Sequence, residues 1–264
     1  MALARADLES LLRTRQLDRT LTTALPVPAA ADPDLVAPTG VAVLDARLGG
    51  GLPRGQISEL VGPRSSGRTS LVLQMLAAAA ARGEIVALVD ALDMLDVESA
   101  AAAGIDLDRL LWVRGHVVSN PGLCRDMNQR ALEQSIRALA LILQAGNIGL
   151  VVFDAAEAPA DAVRRLPFTT WLRLQRIVEG SQTTCVLVGS EGMARSAAGL
   201  SLRARAGIRD QGLGSSAIGE YRAGIRFGDR LFEGLDIETR VIRARIRAHE
   251  DATVALRTVA ANCA

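Results

Sequence analysis

The sequence predicts an α/β fold, a mostly parallel twisted sheet with helices on both faces, and three observations carry that expectation. Apolar runs of strand length alternate with longer helical patterns across short connections, as parallel strands joined by crossover helices require. The stretch Val61-Gly62-Pro63-Arg64-Ser65-Ser66-Gly67-Arg68-Thr69-Ser70 sets two glycines and a hydroxyl at the spacing of a phosphate-binding loop, with a strand pattern before it and a helix pattern after it. A chain of 264 residues, 49% apolar, is long enough to bury the core of one large domain, and with only 3% aromatics that core must be built from Leu, Val, Ile and Ala.

In chain order, residues 1–25 carry Leu3, Leu8, Leu11 and Leu12 among arginines and predict an N-terminal helix. Two readings of it stay open: a helix that packs on the main domain, or one that grips a partner or a second copy of the chain. Residues 26–38, with Pro26, Pro28, Pro33 and Pro38 among alanines, read as a linker. The core then runs over 39–264. It opens with a short helix at 39–48 and a Gly49-Gly50-Gly51-Leu52-Pro53-Arg54-Gly55 turn into the strand at 56–61. A helix follows the phosphate loop. Strands are expected at 84–90, 110–114, 148–154 and 183–189, the first an apolar run suited to a buried parallel strand. Helices fall between them at 97–104, 121–145 and 166–179, and Gly104 suits the position beyond a helix end. Further strands are expected at 200–203 and 237–247.

The segment 205–230 has a different character, rich in Gly, Ser and Arg and holding the single tyrosine, Tyr221. It reads as a flexible surface insertion or as a partner- or nucleic-acid-binding loop. Its arginines 205, 209, 222, 226 and 230 offer charge to phosphates, but Asp210, Glu220 and Asp229 dilute it, so any DNA contact is expected to be weak.

Charge and cysteine usage narrow the function classes. A formal net charge of +1 gives no global argument for a nucleic-acid or membrane partner. All thirty basic residues are arginine, a bias that a GC-rich coding sequence produces by itself and that bears on Arg68. Cys124, Cys185 and Cys263 are scattered without metal spacing, which suits a reduced, cytoplasmic protein. His116 and His249 have no partner motif, so neither zinc nor another resident metal is expected beyond the ion of a nucleotide. The alanine run at 77–81 is too short for a membrane span, and no signal peptide is read.

The loop at Gly62, Pro63, Arg64, Ser65, Ser66, Gly67, Arg68, Thr69 and Ser70 is the predicted phosphate-binding site. Glycines let backbone N–H groups approach phosphates, a lysine normally supplies a point charge, and a hydroxyl holds Mg²⁺. Thr69 fits the last role, and ATP with Mg²⁺ is the cofactor such a loop admits. Arg68 replaces the lysine. Its planar fork is bulkier than an ammonium, and it either reaches the phosphates or points outward and leaves them to backbone amides. A plain Gly/Ser turn is the competing reading of the whole loop.

Three stretches resemble the core of the RecA family of recombinases: 39–55 running into Gly62–Ser70, Val89-Asp90-Ala91-Leu92-Asp93-Met94-Leu95-Asp96, and Gly104-Ile105-Asp106-Leu107-Asp108-Arg109-Leu110-Leu111. The Gly-Gly-Gly-Leu-Pro-Arg-Gly turn and the run from Ala101 to Arg114 also resemble ImuA, a RecA-like accessory protein of inducible error-prone DNA synthesis, sometimes labelled SulA-like. The likeness covers roughly 39–204, with a weaker echo at 238–247.

The resemblance implies a RecA-like phosphate-loop NTPase core and assigns roles. The glutamate that orients the attacking water in RecA proteins matches Leu92, and Asp93 beside it substitutes only with a shifted backbone. Asp96 matches an acid that contacts adenine. Asp154 matches the acid that holds the Mg²⁺ shell opposite Thr69, although an acid ending a buried strand also suits capping of a neighbouring helix. The glutamine that senses the terminal phosphate falls near Ser190. The segments 155–167 and 191–196 are short for DNA-binding loops. Arg243 and Arg245 match paired basic residues that reach a neighbour's nucleotide, or else they solvate a strand face.

The function expected from these matches and losses is a RecA-like accessory protein of the DNA damage response and translesion synthesis, with a degenerate ATP site and weak or no ATPase activity. The resemblance implies a RecA filament, an ImuB-like inactive polymerase homologue and an error-prone polymerase as partners, no membrane partner, and self-association as an option. A working DNA-dependent ATPase of recombinational repair is the alternative, and a division inhibitor, suggested by a family label alone, is a third.

Overall fold

The structure is a computed structural model that describes residues 33–116, 125–207, 236–244 and 253–257. The predicted N-terminal helix, residues 26–32 of the linker, Arg245 and most of the 205–230 segment lie outside the described residues. The chain divides into units at 1–30 and 31–264, and the described residues all belong to the second.

The expected alternation is present. Strand β1 (Val36–Ala37) pairs antiparallel with β2 (Leu52–Pro53), on either side of helix α1 (Ala42–Leu48). Thus the end of the stretch read as a linker is tied to the start of the core. The main elements follow as β3 (Gln56–Val61), α2 (Arg68–Ala81), β4 (Val86–Asp90), α3 (Val97–Ala102), β5 (Leu110–Arg114), α4 (Arg125–Ala145) and β6 (Leu150–Asp154). Next come α5 (Ala160–Arg164), α6 (Phe168–Val178), β7 (Thr184–Gly189), β8 (Ala198–Ala206), β9 (Asp236–Ala244) and β10 (Thr253–Arg257). The strand read at 200–203 is longer than its apolar run because Arg203 and Arg205 turn exposed side chains outward while Leu202 and Ala204 stay buried. Arg205 and Ala206 therefore belong to a strand rather than to an insertion.

The large sheet has the order β10-β9-β8-β3-β7-β6-β4-β5. From β8 through β5 neighbouring strands are parallel, and β9 and β10 extend the β8 edge antiparallel. Alternate residues of each central strand face opposite layers, the period-two consequence of the pleat. Leu60, Leu88, Val152 and Val188 join α1 and α2 in one core. Ile57, Val89, Phe153 and Leu187 join α4 and α6 in the other. Helix α4 contributes Leu132, Ile136, Leu139 and Leu143, a stripe at helical spacing, and Trp171 of α6 meets Phe153 edge-on at 6.4 Å between ring centres. Each such side chain removed from water is worth about 1.5–3 kcal/mol.

Two polar devices fix the sheet end opposite the phosphate loop. Glu84 accepts from Arg54 Nη2 at 2.7 Å and Arg82 Nε at 3.0 Å. Arg54 Nε also reaches the Val36 carbonyl and Arg82 Nη1 the Pro38 carbonyl, so this cluster holds the β1 segment to the core. On β3 the register against β8 shifts between Ile57 and Ser58, and the Ile57 N–H there is taken by Gln175 Oε1 of α6 at 3.0 Å.

Strand order places the site. Between β3 and β4, consecutive in the chain, lie β7 and β6. The loop after β3 therefore opens beside the ends of β6 and β4, the kind of crevice at which open α/β sheets bind ligands.

Candidate phosphate-binding site

The loop between β3 and α2 takes its shape from glycine at two positions. A Cβ on Gly62 would lie 2.4 Å from the Ala204 carbonyl oxygen of β8, so only glycine fits against that strand. Gly67 caps α2 with φ +85°, a left-handed conformation that other residues adopt at a cost, and Ser65 is also left-handed at +58°. Left-handed residues interspersed in a turn gather successive N–H groups into an anion-binding concavity, and the N-terminus of the fourteen-residue α2 adds its dipole.

A cavity of about 590 Å³ lies against this loop, within the range of small-molecule sites. Of the nine predicted loop residues, Arg64, Ser65, Arg68, Thr69 and Ser70 border it. Gly62, Pro63, Ser66 and Gly67 do not and serve as the loop's base. Asp154, Leu92 and Asp96 also border the cavity, so elements distant in sequence converge on it.

Arg68 does not point outward. Its side chain is only 6% exposed and borders the cavity; Nη2 donates to Glu157 Oε1 at 3.2 Å, and Nη1 is buried with no partner among the described residues. Glu157 also accepts from Arg64 Nε at 2.5 Å through its other oxygen. Nothing in the sequence singled out Glu157; its one local signal is its place three residues beyond Asp154.

Asp154 ends β6 and accepts from the Ala156 N–H at 2.9 Å, so its carboxylate closes a local turn rather than capping a helix. Burial pushes its pKa up to about 6; the Ala156 hydrogen bond opposes this, Asp90 adds to it, and Arg68 opposes it again. Asp90 is the second acid that sequence reasoning passed over. It is buried at the end of β4, borders the same cavity, and accepts from the Leu95 N–H at 2.8 Å and Trp112 Nε1 at 3.3 Å.

Leu92 lines the cavity with a side chain that cannot polarise water. Asp93 does not stand in for it. With φ +60° its carboxylate is turned to Arg114, which donates from Nε at 2.6 Å and Nη2 at 2.7 Å while lying over the Trp112 ring. Asp96 borders the cavity, but its carboxylate caps α3, accepting from the Ser99 N–H at 3.2 Å and from Ser99 Oγ. The Ser99 hydroxyl, with its amide, holds the Asp96 pKa low.

Two remaining positions fall elsewhere. Ser190 is exposed just after β7 and outside this cavity. The loop that follows it is pinned by buried Glu59, which accepts from the Met193 and Ala194 N–H groups at 2.7 and 2.6 Å and from Ser201 Oγ at 2.9 Å. Arg243 is exposed on β9 and donates to the Arg195 carbonyl at 2.7 Å. Among the described residues no group of three His, Cys, Asp or Glu is placed to hold a metal ion, and no helix is long and apolar enough to cross a membrane. Cys185 is wholly buried, and burial pushes its thiol up to about 12.

Comparison with known proteins gives concordant findings. The family model of the RecA N-terminal domain matches residues 29–163, just over half the chain. Protein RecA of Clavibacter michiganensis subsp. michiganensis is 43% identical over 127 residues, covering 48% of this chain and 31% of that protein. Protein RecA of Nocardia farcinica is 40% identical over 130 residues, covering 49% and 33%. The chain thus spans about a third of the length of the curated relatives it matches. The crystal structure of the RadB recombinase superposes with a TM-score of 0.58 over 84% of this chain and 96% of that one, at 18% identity, which shows a shared fold.

Proposed function

The chain belongs to the RecA N-terminal domain family, and from that premise we propose that it is a RecA-like accessory protein of DNA damage tolerance whose nucleotide site serves binding and protein contacts rather than turnover. The observation that carries this reading is Leu92. It occupies the cavity wall where the family places a water-orienting acid, and its acidic neighbour Asp93 is committed to Arg114. Losing a positioned general base commonly costs about 10²–10⁴-fold.

The residues present do fit a phosphate. Arg68 borders the cavity with a buried guanidinium whose Nη1 has no partner among the described residues, and the loop backbone is shaped for anions. Thr69 and Asp154 would hold Mg²⁺, which supplies positive charge to phosphate oxygens when bound. The Arg68 guanidinium adds to it from the protein side.

Within the family we place the chain with the ImuA-like proteins, on the Gly49–Gly55 turn and the 101–114 run. That placement brings a RecA filament, an ImuB-like polymerase homologue and an error-prone polymerase as partners in SOS-induced translesion synthesis, and a cytoplasmic, nucleoid-associated location. The segments 1–25 and 208–230 are the contact elements of this reading. The second reading, a DNA-dependent ATPase of recombinational repair, draws on Thr69, Asp154 and Arg68 bordering one cavity.

Calorimetric titration with ATP and Mg²⁺, paired with a phosphate-release assay, separates the two. Binding with no turnover, and turnover gained in the Arg68→Lys, Leu92→Glu double variant, support the accessory reading. Filament formation on single-stranded DNA with turnover by the unaltered chain supports the other.

A further inference from the structure

Glu157 pairs with both arginines of the phosphate loop at once. Its Oε2 takes Arg64 Nε and its Oε1 takes Arg68 Nη2, while Arg68 Nη1 is buried and has no partner among the described residues. The Arg64 contact is the weaker half, since Arg64 is 81% exposed and water screens it. The Arg68 contact is not screened in that way, because Arg68 is 6% exposed.

The wider charge balance points the same way. Among the described residues, Asp90, Asp96, Asp154 and Glu157 border the cavity against Arg64 and Arg68. Each phosphoryl group added to a ligand therefore meets more negative than positive protein charge, and the last meets Glu157 on the very cation it needs. We propose that Glu157 is a built-in substitute for a terminal phosphate, and that the site takes a nucleoside diphosphate in preference to a triphosphate. This rests on the nucleotide-binding reading above and adds to it the class of ligand and the residue that sets it. A triphosphate must displace the carboxylate from Arg68, whereas a diphosphate leaves the Glu157 pair in place.

The test is calorimetric titration of the full chain with ADP and with ATP, each with Mg²⁺, for the unaltered protein and for Glu157→Gln and Glu157→Ala. The unaltered protein is expected to bind ADP about tenfold more tightly than ATP, and removal of the carboxylate charge to erase most of that ratio by strengthening ATP binding. The ratio for the unaltered chain needs no variant, so misfolding of either substitution does not shelter the proposal. Tighter binding of ATP than ADP by the unaltered chain, or a ratio unchanged in well-folded variants, overturns this inference while leaving nucleotide binding intact. Absence of binding by every protein to both nucleotides overturns the nucleotide reading and this one together.

Discussion

Asp90 and Asp154 are register partners across the parallel β4–β6 ladder, two carboxylates at the ends of adjacent strands on the wall of one cavity. They are stabilised unequally. Asp90 accepts from the Leu95 amide and the Trp112 indole, whereas Asp154 has the Ala156 amide and an environment that lifts it to about 6 through burial first and the Asp90 charge as a lesser cause. A site with such a pair favours arrival of a cation or of a proton.

The Asp154→Asn variant is expected to be more stable than the unaltered chain at pH 7.5. In the unfolded chain an Asp titrates near 3.9, so the folded value is raised. The native state then holds its proton to higher pH, and the stability linked to that proton is full below about pH 4 and lost as pH rises through about 6. The gain is of order 1–3 kcal/mol at pH 7.5 and shrinks towards pH 4. Urea unfolding at the two pH values measures it, and the same substitution should weaken Mg²⁺-dependent nucleotide binding.

Glu84 gives the opposite sign. Burial alone would raise its pKa, but hydrogen bonds from Arg82 and Arg54 outweigh burial and hold it below the usual value. Its stability contribution is present above the unfolded carboxylate pKa and lost as pH falls through the lower folded one. Glu84→Gln should destabilise the chain by about 1–3 kcal/mol at pH 7, because Arg54 and Arg82 lose their charge partner, with a smaller difference in acid. Denaturant midpoints across pH 3–7 are the readout, the range being about that of carboxylate titration.

At Gln175 the expected effect rests on one amide. Gln175→Leu leaves the buried Ile57 N–H at the register shift without an acceptor and should cost about 1–3 kcal/mol, whereas Gln175→Glu keeps an acceptor and should cost less unless its charge is not tolerated. Hydrogen exchange at the Ile57 amide distinguishes local opening from global loss, with faster exchange expected at that amide in the leucine variant.

Much of the fold was legible because its signals are local. The apolar runs ending in Asp90 and Asp154 become buried parallel strands, and Gly104, with φ +86°, lies just past α3 as its composition suggests. The shape of the loop between β3 and α2 was legible for the same reason, since Gly62 and Gly67 act through fixed spacing. What the sequence could not convey depends on partners distant along the chain. The direction of Arg68 is set by Glu157, eighty-nine residues on, and the retirement of Asp93 by Arg114, twenty-one residues on. Glu157 and Asp90 carry no spacing rule of their own; the parallel pairing of β4 with β6 makes them part of the site. Strand β8 was read short because one face of its second half is charged and exposed.

The most direct test of the degenerate-site reading is steady-state phosphate release from ATP by the full chain, with Mg²⁺ and single-stranded DNA, beside its Thr69→Ala and Asp154→Asn variants. Release by the unaltered chain is expected to be no faster than release by either variant. Sustained turnover by the unaltered chain, at roughly the 1 s⁻¹ or more of ordinary enzymes and abolished by either substitution, would contradict it.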